Sequence, residues 1–419
     1  CPALPAPARR REVSTQPRAQ AVSDGRDDFP DIFGDVLASP TSFARGRDIT
    51  QDVTTDRSSQ TELRWTLRHG TVEHRLLVGF ERLELAFGPY FFFGQELLPI
   101  DFVTPVYAGP VGEPFFAFEG VSASRSNALY VQDFISIGDR WKVLAGLRYD
   151  DVEATSAFCF DFEGCLNSDD PVVRGESPPA GERELSPRLG VVYSPVETLN
   201  VYASWSESFN PNPFPDREGR ILPPERGEQF EIGAKQQSAD GRHSWTLSIF
   251  DLVRSNVPTE DPADPFFQIA VGEQRARGVE LEAAWRPVTD LQFFGNLAYV
   301  DTEVTRDNVI PVGTRLSEAP RWEGGLSLLA GLSGLGLPAT ELLVSTAYLG
   351  STTTLERPLA LELPDAYRVD LAVFHEIRPD LRLQLNIHNA TDQRIFVPTN
   401  QGFRELDPRR ASLGLQWRF

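Results

Sequence analysis

From about residue 61 onward the chain alternates apolar and polar residues, segment after segment. In LRLQLNIH, Leu381, Leu383, Leu385 and Ile387 share one face, and Arg382, Gln384, Asn386 and His388 share the other. ASLGLQWRF sets Ala411, Leu413, Leu415, Trp417 and Phe419 opposite Ser412, Gly414, Gln416 and Arg418. WKVLAGLRY does the same with Trp141, Val143, Ala145, Leu147 and Tyr149. In GVELEAAW, Val279, Leu281, Ala283 and Trp285 oppose Glu280 and Glu282. A period of two means β-strands with one apolar and one polar face. ALYVQDFISI is less clean, with both kinds of residue on both faces.

The connections carry a second pattern. SIGDR near 136–140, SPVETL near 194–199, ADGR near 239–242, RPVTD near 286–290 and RPDL near 378–381 read as tight hairpin turns rich in Gly, Pro and Asp. Between them lie long connections, near 86–123, 155–183, 210–227, 256–274, 305–320, 352–365 and 393–408. Short and long connections alternate, as they do in outer-membrane barrels with short periplasmic turns and long outer loops. Aromatics close the apolar rows at their margins, as with Trp141, Tyr149, Trp285, Trp417 and Phe419. Amphipathic rings at strand ends suit the two interfaces of a bilayer. The polar faces carry Arg, Glu, Gln and Asn, which a wide lumen can hold and a small filled barrel cannot. The fold class predicted is all-β, an antiparallel transmembrane β-barrel in partial form. It holds roughly fifteen or sixteen of the about 22 strands found in plugged transporters.

Composition narrows the alternatives. The chain has 419 residues, 41% hydrophobic and 11% aromatic, which is too apolar for a disordered chain. Its net charge of −20 and lack of a basic stripe exclude nucleic acid as a partner. No run of 18 apolar residues exists, so no transmembrane helix is expected. Residues 1–60 differ from the rest: a Pro-, Ala- and Arg-rich run without period, then an apolar island FPDIFGDVLASP. They read as a disordered or truncated N-terminal remnant, with the barrel over 61–419. The chain contains no Met and no signal peptide, which sets the expectation that its true N-terminus is missing or processed.

Several segments resemble the TonB-dependent siderophore receptors of the outer membrane. SNALYVQDFISIGDRWKVLAGLRYDDVEA is similar to a hairpin of that family, with its Tyr-Val-Gln-Asp strand at Tyr130–Asp133 and its Gly-Leu-Arg-Tyr-Asp strand at Gly146–Asp150. SPRLGVVYSP, LNVYASWSESFNPN, PERGEQFEIGAK, RARGVELEAAWRP, AYRVDLAVFHE and LQLNIHNATDQRIF resemble later family strands, in the family's order. NATD at 389–392 resembles a strand-end motif, with Ala390 where Leu is usual. The resemblance implies an outer-membrane receptor for ferric siderophore uptake, energised through the TonB system and set in outer-membrane lipid. It also implies a plug domain ahead of the barrel that contacts the TonB complex, and no plug is found in this chain. Phe419 resembles the family's C-terminal assembly signal. An unplugged outer-membrane pore, or a receptor for cobalamin, haem or a glycan, is the alternative.

Local chemistry is sparse. His69, His74, His243, His375 and His388 are scattered without metal-ligand spacing, and no catalytic constellation stands out. The chain is not expected to be an enzyme or to carry a cofactor. Binding is expected in the long connections. The first holds Tyr90, Phe92, Tyr107, Phe115 and Phe116, and a later one holds Arg217 and Arg220. Aromatics with arginines can cradle the flat, often anionic faces of ferric siderophores. The aromatics could equally pack as that loop's own small core, and the arginines could simply be solvated. Cys159 and Cys165 enclose CFDFEGC and suit either a small disulfide loop in an oxidising compartment or two free thiols. No metal site is assigned, since the acidic stretch with Asp161, Glu163, Asp169 and Asp170 lacks ligand spacing.

Overall fold

The computed structural model of the chain describes residues 10–15, 19–30, 37–39, 42–101, 115–159, 180–212, 216–218, 220–354, 361–399 and 402–418. Three short strands, β1 (Arg10–Thr15), β2 (Ala19–Pro30) and β3 (Leu37–Ser39), lie along one edge of β4 (Ser42–His69). Antiparallel hairpins follow: β5 (Val72–Asp101), β6 (Phe115–Ile137), β7 (Trp141–Cys159), β8 (Ala180–Val196), β9 (Leu199–Asn210) and β10 (Glu225–Gln237). The series continues with β11 (His243–Asp261), β12 (Asp264–Val288), β13 (Leu291–Arg306), β14 (Trp322–Gly331) and β15 (Thr340–Leu349). A small pair, β16 (Thr352–Thr353) and β17 (Glu362–Leu363), precedes β18 (Ala366–Arg378) and β19 (Leu381–His388). A second small pair, β20 (Phe396–Thr399) and β21 (Gly402–Glu405), precedes β22 (Arg410–Trp417). Each long strand from β4 to β22 pairs antiparallel with its sequence neighbours, so fifteen strands make one continuous meander. Among the described residues no helix is long and apolar enough to cross a membrane, so any crossing is made by strands.

Tight turns gather at one end of the meander and the long connections at the other. Two connections expected to be loops are largely ladder. β5 runs to Asp101 and pairs with β6 as far as Gly94↔Phe115, and β11 pairs with β12 out to Asp261↔Asp264. Likewise β4 crosses the expected boundary at residue 61 and begins at Ser42. The physical reason is the same in each case. The ladder needs only backbone donors and acceptors, so it persists where the sequence carries no period-two alternation to announce it.

The two faces of the wall differ as the alternation predicts. One cross-strand row reads Leu247↔Leu281↔Leu297, and these side chains are 37%, 40% and 47% exposed. Another reads Ile232↔Ile249↔Val279↔Tyr299↔Trp322. Only nine hydrophobic side chains are buried among the described residues, so the apolar surface is turned outward rather than into a core. That is the arrangement lipid requires of a barrel. Ring pairs bound the apolar band at both margins. Trp141–Tyr193 (4.5 Å) and Trp285–Phe293 (5.4 Å) lie toward the tight turns. Trp205–Phe230 (6.3 Å) and Tyr299–Trp322 (4.8 Å) lie toward the long connections. Such girdles place amphipathic rings at headgroup depth.

The opposite face carries a recurring device. Tyr130 lies flat over Gly79 on the neighbouring strand, and Tyr202 over Gly233. A Cβ built on Gly79 would stand 2.1 Å from the Tyr130 ring, and one on Gly233 would stand 2.6 Å from Tyr202. Glycine is needed at these two positions because the ring occupies the side-chain space.

Candidate functional site

With lipid-facing residues assigned, the remaining face is concave and polar. Under the first long connections it forms a cavity of ≈ 940 Å³. Its wall is tied by Gln60 Nε2 to the Tyr130 hydroxyl (2.7 Å), by that hydroxyl donating to Glu62 Oε1 (2.9 Å), and by Arg148 held between Asp150 (3.0 Å) and Glu81 (3.0 Å). Asp150 is buried at 4% exposure, a carboxylate that only its guanidinium partner makes affordable. Each of these residues sits on the polar row of its strand, so the alternation of β4 to β7 is what brings them together.

A second cavity of ≈ 740 Å³ follows the inner face of β11 to β18. One cross-strand row supplies Thr246, Glu282, Asn296, Gly325, Ala347 and Arg368. Ser327 and Ser345 meet at 2.7 Å on the next row toward the tight turns. Ile395, Val397 and Leu406 from the last long connection line the cavity from above.

That connection is clasped at its base. Asn389 has a left-handed backbone (φ 49°), is 2% exposed, and ends β19. Its Nδ2 donates to the carbonyls of Gln393 (2.8 Å) and Asp407 (3.4 Å), and its Oδ1 accepts from the Gln393 N–H (2.9 Å). Asp370 Oδ1 accepts from the Asn389 N–H (2.8 Å), and Asp392 Oδ1 from the Arg409 N–H (2.9 Å). Asn tolerates the left-handed region and offers both a donor and an acceptor, so the NATD stretch has a structural reason. Farther out, Arg394 hydrogen-bonds Glu405 (2.8 and 2.9 Å) and holds its carboxyl below the usual carboxylate range. Asn389→Ala should therefore cost about 1–3 kcal/mol of local stability through the orphaned carbonyls. The check is hydrogen exchange: amides of β20 and β21 should lose protection while those of β18 keep it.

The residues singled out in the sequence fare differently. Tyr90 and Phe92 fall in β5, and Phe115 and Phe116 in β6; their backbones are paired strand rather than loop, and their side chains lie outside the described residues. Tyr107, Cys165 and Phe419 lie outside the described residues altogether, and Cys159 ends β7 with its side chain likewise outside. Arg217 and Arg220 are exposed, but neither stands free. Arg220 Nε donates to Asp216 (2.8 Å) and its Nη2 to Glu218 (2.5 Å), and Arg217 lies 3.6 Å from Glu218. The Asp216 hydrogen bond raises the Arg220 guanidinium further above its ordinary value. Sequence reasoning missed the inner-wall row and the Asn389 clasp. Glu282 stood on a polar face in the sequence, but only the strand register puts it beside Asn296. Among the described residues no group of three or more His, Cys, Asp or Glu is placed to hold a metal ion.

Comparison with known proteins places this wall among outer-membrane barrels. The family described as TonB dependent receptor-like, beta-barrel matches residues 14–390. The metal-pseudopaline receptor CntO of Pseudomonas aeruginosa is 30% identical over 375 residues, covering 86% of this chain and 51% of the receptor. The ferrioxamine B receptor of Salmonella typhimurium is 27% identical over 336 residues, covering 79% of this chain and 45% of that protein. This chain thus spans about half the length of the curated relatives it matches. Among solved structures, the ferric-catecholate import receptor Fiu of E. coli superposes with a TM-score of 0.80 at 17% identity, over 96% of this chain and 61% of that one. The siderophore receptor PiuA of Acinetobacter baumannii does so with a TM-score of 0.78 at 19% identity, over 96% and 61%. At those identities the likeness establishes the fold.

Proposed function

Because this chain belongs to the family of TonB-dependent receptor-like β-barrels, we propose that it is the barrel wall of an outer-membrane receptor that takes up a ferric siderophore or a related metal chelate. The observation that carries this reading is the family match along nearly the whole described wall, joined to a polar, concave inner face with two cavities of ligand size. The named functions of the relatives, metal-pseudopaline and ferrioxamine B reception, point to the same class of cargo. In this reading the work is binding and passage, not catalysis. Energy reaches the whole protein through a plug region and the TonB complex, and outer-membrane lipid covers the apolar band. Tyr90, Phe92, Phe115, Phe116, Arg217 and Arg220 stand toward the long connections, and together with Tyr107, which lies outside the described residues, they are the candidate ligand contacts. The arginines act there together with their carboxylate partners rather than as bare cations. Cys159 and Cys165 close a disulfide loop, Phe419 serves as the assembly signal, and the barrel wall takes in β4 from Ser42 rather than beginning near residue 61 after a remnant over 1–60.

The test is binding by the native protein purified from its own outer membrane. Intrinsic fluorescence is followed as ferric chelates of several chemical types are added. Saturable quenching by at least one of them is the expected result. Steady ion conductance in a planar bilayer with no chelate bound would instead establish the unplugged pore.

A further inference from the structure

We propose that the lipid face of β10 to β13 carries a site for one phosphate-bearing acyl lipid of the outer leaflet, with the phosphate seated on Arg277. A groove of ≈ 600 Å³ opens on that face. Phe230, Ile232, Ile249, Val279 and Tyr299 form its apolar slot, and the first four are 55%, 54%, 50% and 40% exposed. Asp251, Arg277 and Asp301 close the slot on the side of the long connections. Strand register sets this order. The row Trp205↔Phe230↔Asp251↔Arg277↔Asp301 lies one step farther toward the long connections than Ile232↔Ile249↔Val279↔Tyr299↔Trp322. The charged trio therefore interrupts the aromatic girdle, with the Trp205–Phe230 pair on one flank and the Tyr299–Trp322 pair on the other. Long connections face outward in outer-membrane barrels, so this margin lies at the outer leaflet. The groove faces away from the lumen, and each of its strands is paired on both sides. It therefore depends on neither the cargo nor a plug.

The distribution of charge picks out the headgroup. Asp251 accepts from Arg275 Nε at 2.8 Å, and its second oxygen is met by Arg275 Nη2. Asp301 accepts from Arg321 Nε at 3.2 Å. Each carboxylate of the row is thus held by an arginine from outside the row. Arg277, between them, reaches Asp251 only at 3.4 Å, and its side chain is 52% exposed. Glu303 stands across from Arg275 and Glu273 lies beyond it, both outside the groove. The face then offers a guanidinium at headgroup depth, directly above a slot whose natural filling is an acyl chain. A guanidinium donates in pairs to phosphate oxygens, and its attraction for an anionic lipid is strongest at the membrane surface. Asp251 and Asp301 on either side confine the phosphate to Arg277. The chain in the slot adds apolar contact that a soluble phosphate lacks.

The experiment uses the native protein, purified from its own outer membrane and exchanged into detergent until no lipid is carried over. Native mass spectrometry follows titration with two probes: a bis-phosphorylated, multiply acylated glycolipid and its phosphate-free counterpart with the same chains. One phosphorylated lipid per protein should be retained, and the phosphate-free lipid should bind about tenfold more weakly. Arg277→Gln should weaken the phosphorylated lipid about fivefold and leave the phosphate-free one unchanged, which also shows that the variant is folded. Arg286→Gln, near the tight turn between β12 and β13, should bind both lipids as the parent does. Val279→Trp fills the slot and should weaken both lipids. Inorganic phosphate at the concentration of the lipid should displace neither. Equal retention of the two lipids, or parent-like binding by Arg277→Gln, would overturn the phosphate site. Displacement by inorganic phosphate, or parent-like binding by Val279→Trp, would overturn the acyl slot. None of these results bears on the siderophore reading, which is tested by chelate binding.

Discussion

Arginine in place of Leu281 should destabilise the protein in a bilayer by about 2–4 kcal/mol, whereas arginine in place of its neighbour Glu282 should change stability by no more than about 0.5 kcal/mol. Leu281 is 40% exposed in the row Leu247↔Leu281↔Leu297, inside the band bounded by Trp285 and Tyr299. Exposure of a large aliphatic side chain in that row is cheap only if lipid is the solvent. A guanidinium there must thin the membrane, drag water in, or snorkel past rings that already occupy the interface. One residue along the strand the side chain reverses face, and Glu282 looks into the polar cavity. Urea titration of the folded protein in lipid vesicles, read by tryptophan fluorescence, measures both variants on one scale. Equal losses at the two positions, or the larger loss at Glu282, would mean that the faces are assigned the wrong way round.

How much of this was legible beforehand depended on where water lies. Inside the lipid band the sequence had to alternate, so strands such as Leu381–His388 and Trp141–Tyr149 could be read directly, with the correct face outward. ALYVQDFISI was ambiguous for a visible reason. Phe134 stands on the polar row, while Asp133 stands on the outward row, where His74 Nδ1 lies 2.7 Å from its carboxylate. Its hydrogen-bond partner comes from a strand 59 residues away in the chain, and no local pattern announces it. Beyond the lipid the alternation stops, and with it the signal. The extensions of β5, β11 and β12 read as loops, and that of β4 as part of a disordered or truncated remnant, because their residues do not alternate. The candidate site was the least legible part. Membership of a polar row could be read for Glu282, but its neighbours are set by register across β12, β13 and β14, a property of hairpin geometry and not of any one strand. Asn389 was noticed as part of a motif, and its purpose appeared only with the positive φ and the two carbonyls it holds.

The glycines beneath the tyrosines supply the other large effect. Gly233→Val should cost about 2–4 kcal/mol, from overpacking and the loss of a charged hydrogen bond together. A Cβ at Gly233 would lie 2.6 Å from the Tyr202 ring and hydroxyl and 2.5 Å from the carbonyl oxygen of Leu247. Swinging the ring away relieves only the first contact, and it breaks the bond the Tyr202 hydroxyl donates to Glu231 (2.6 Å). It also uncovers Lys235, whose ammonium sits 5.2 Å from the same ring centroid. The carbonyl belongs to the ladder between β10 and β11 and cannot move without opening Gly233↔Ser248. Gly190, on the same inner wall, provides the contrast. Its nearest neighbour to an added Cβ is 3.7 Å away, an ordinary contact, so Gly190→Ala should be neutral or stabilise by up to about 1 kcal/mol as backbone freedom in the unfolded chain is lost. Unfolding midpoints of the two variants and the parent in vesicles separate the cases. A Gly233 variant as stable as the parent would mean that Tyr202 is not laid against the wall, and the inner face would then lack this flat aromatic lining.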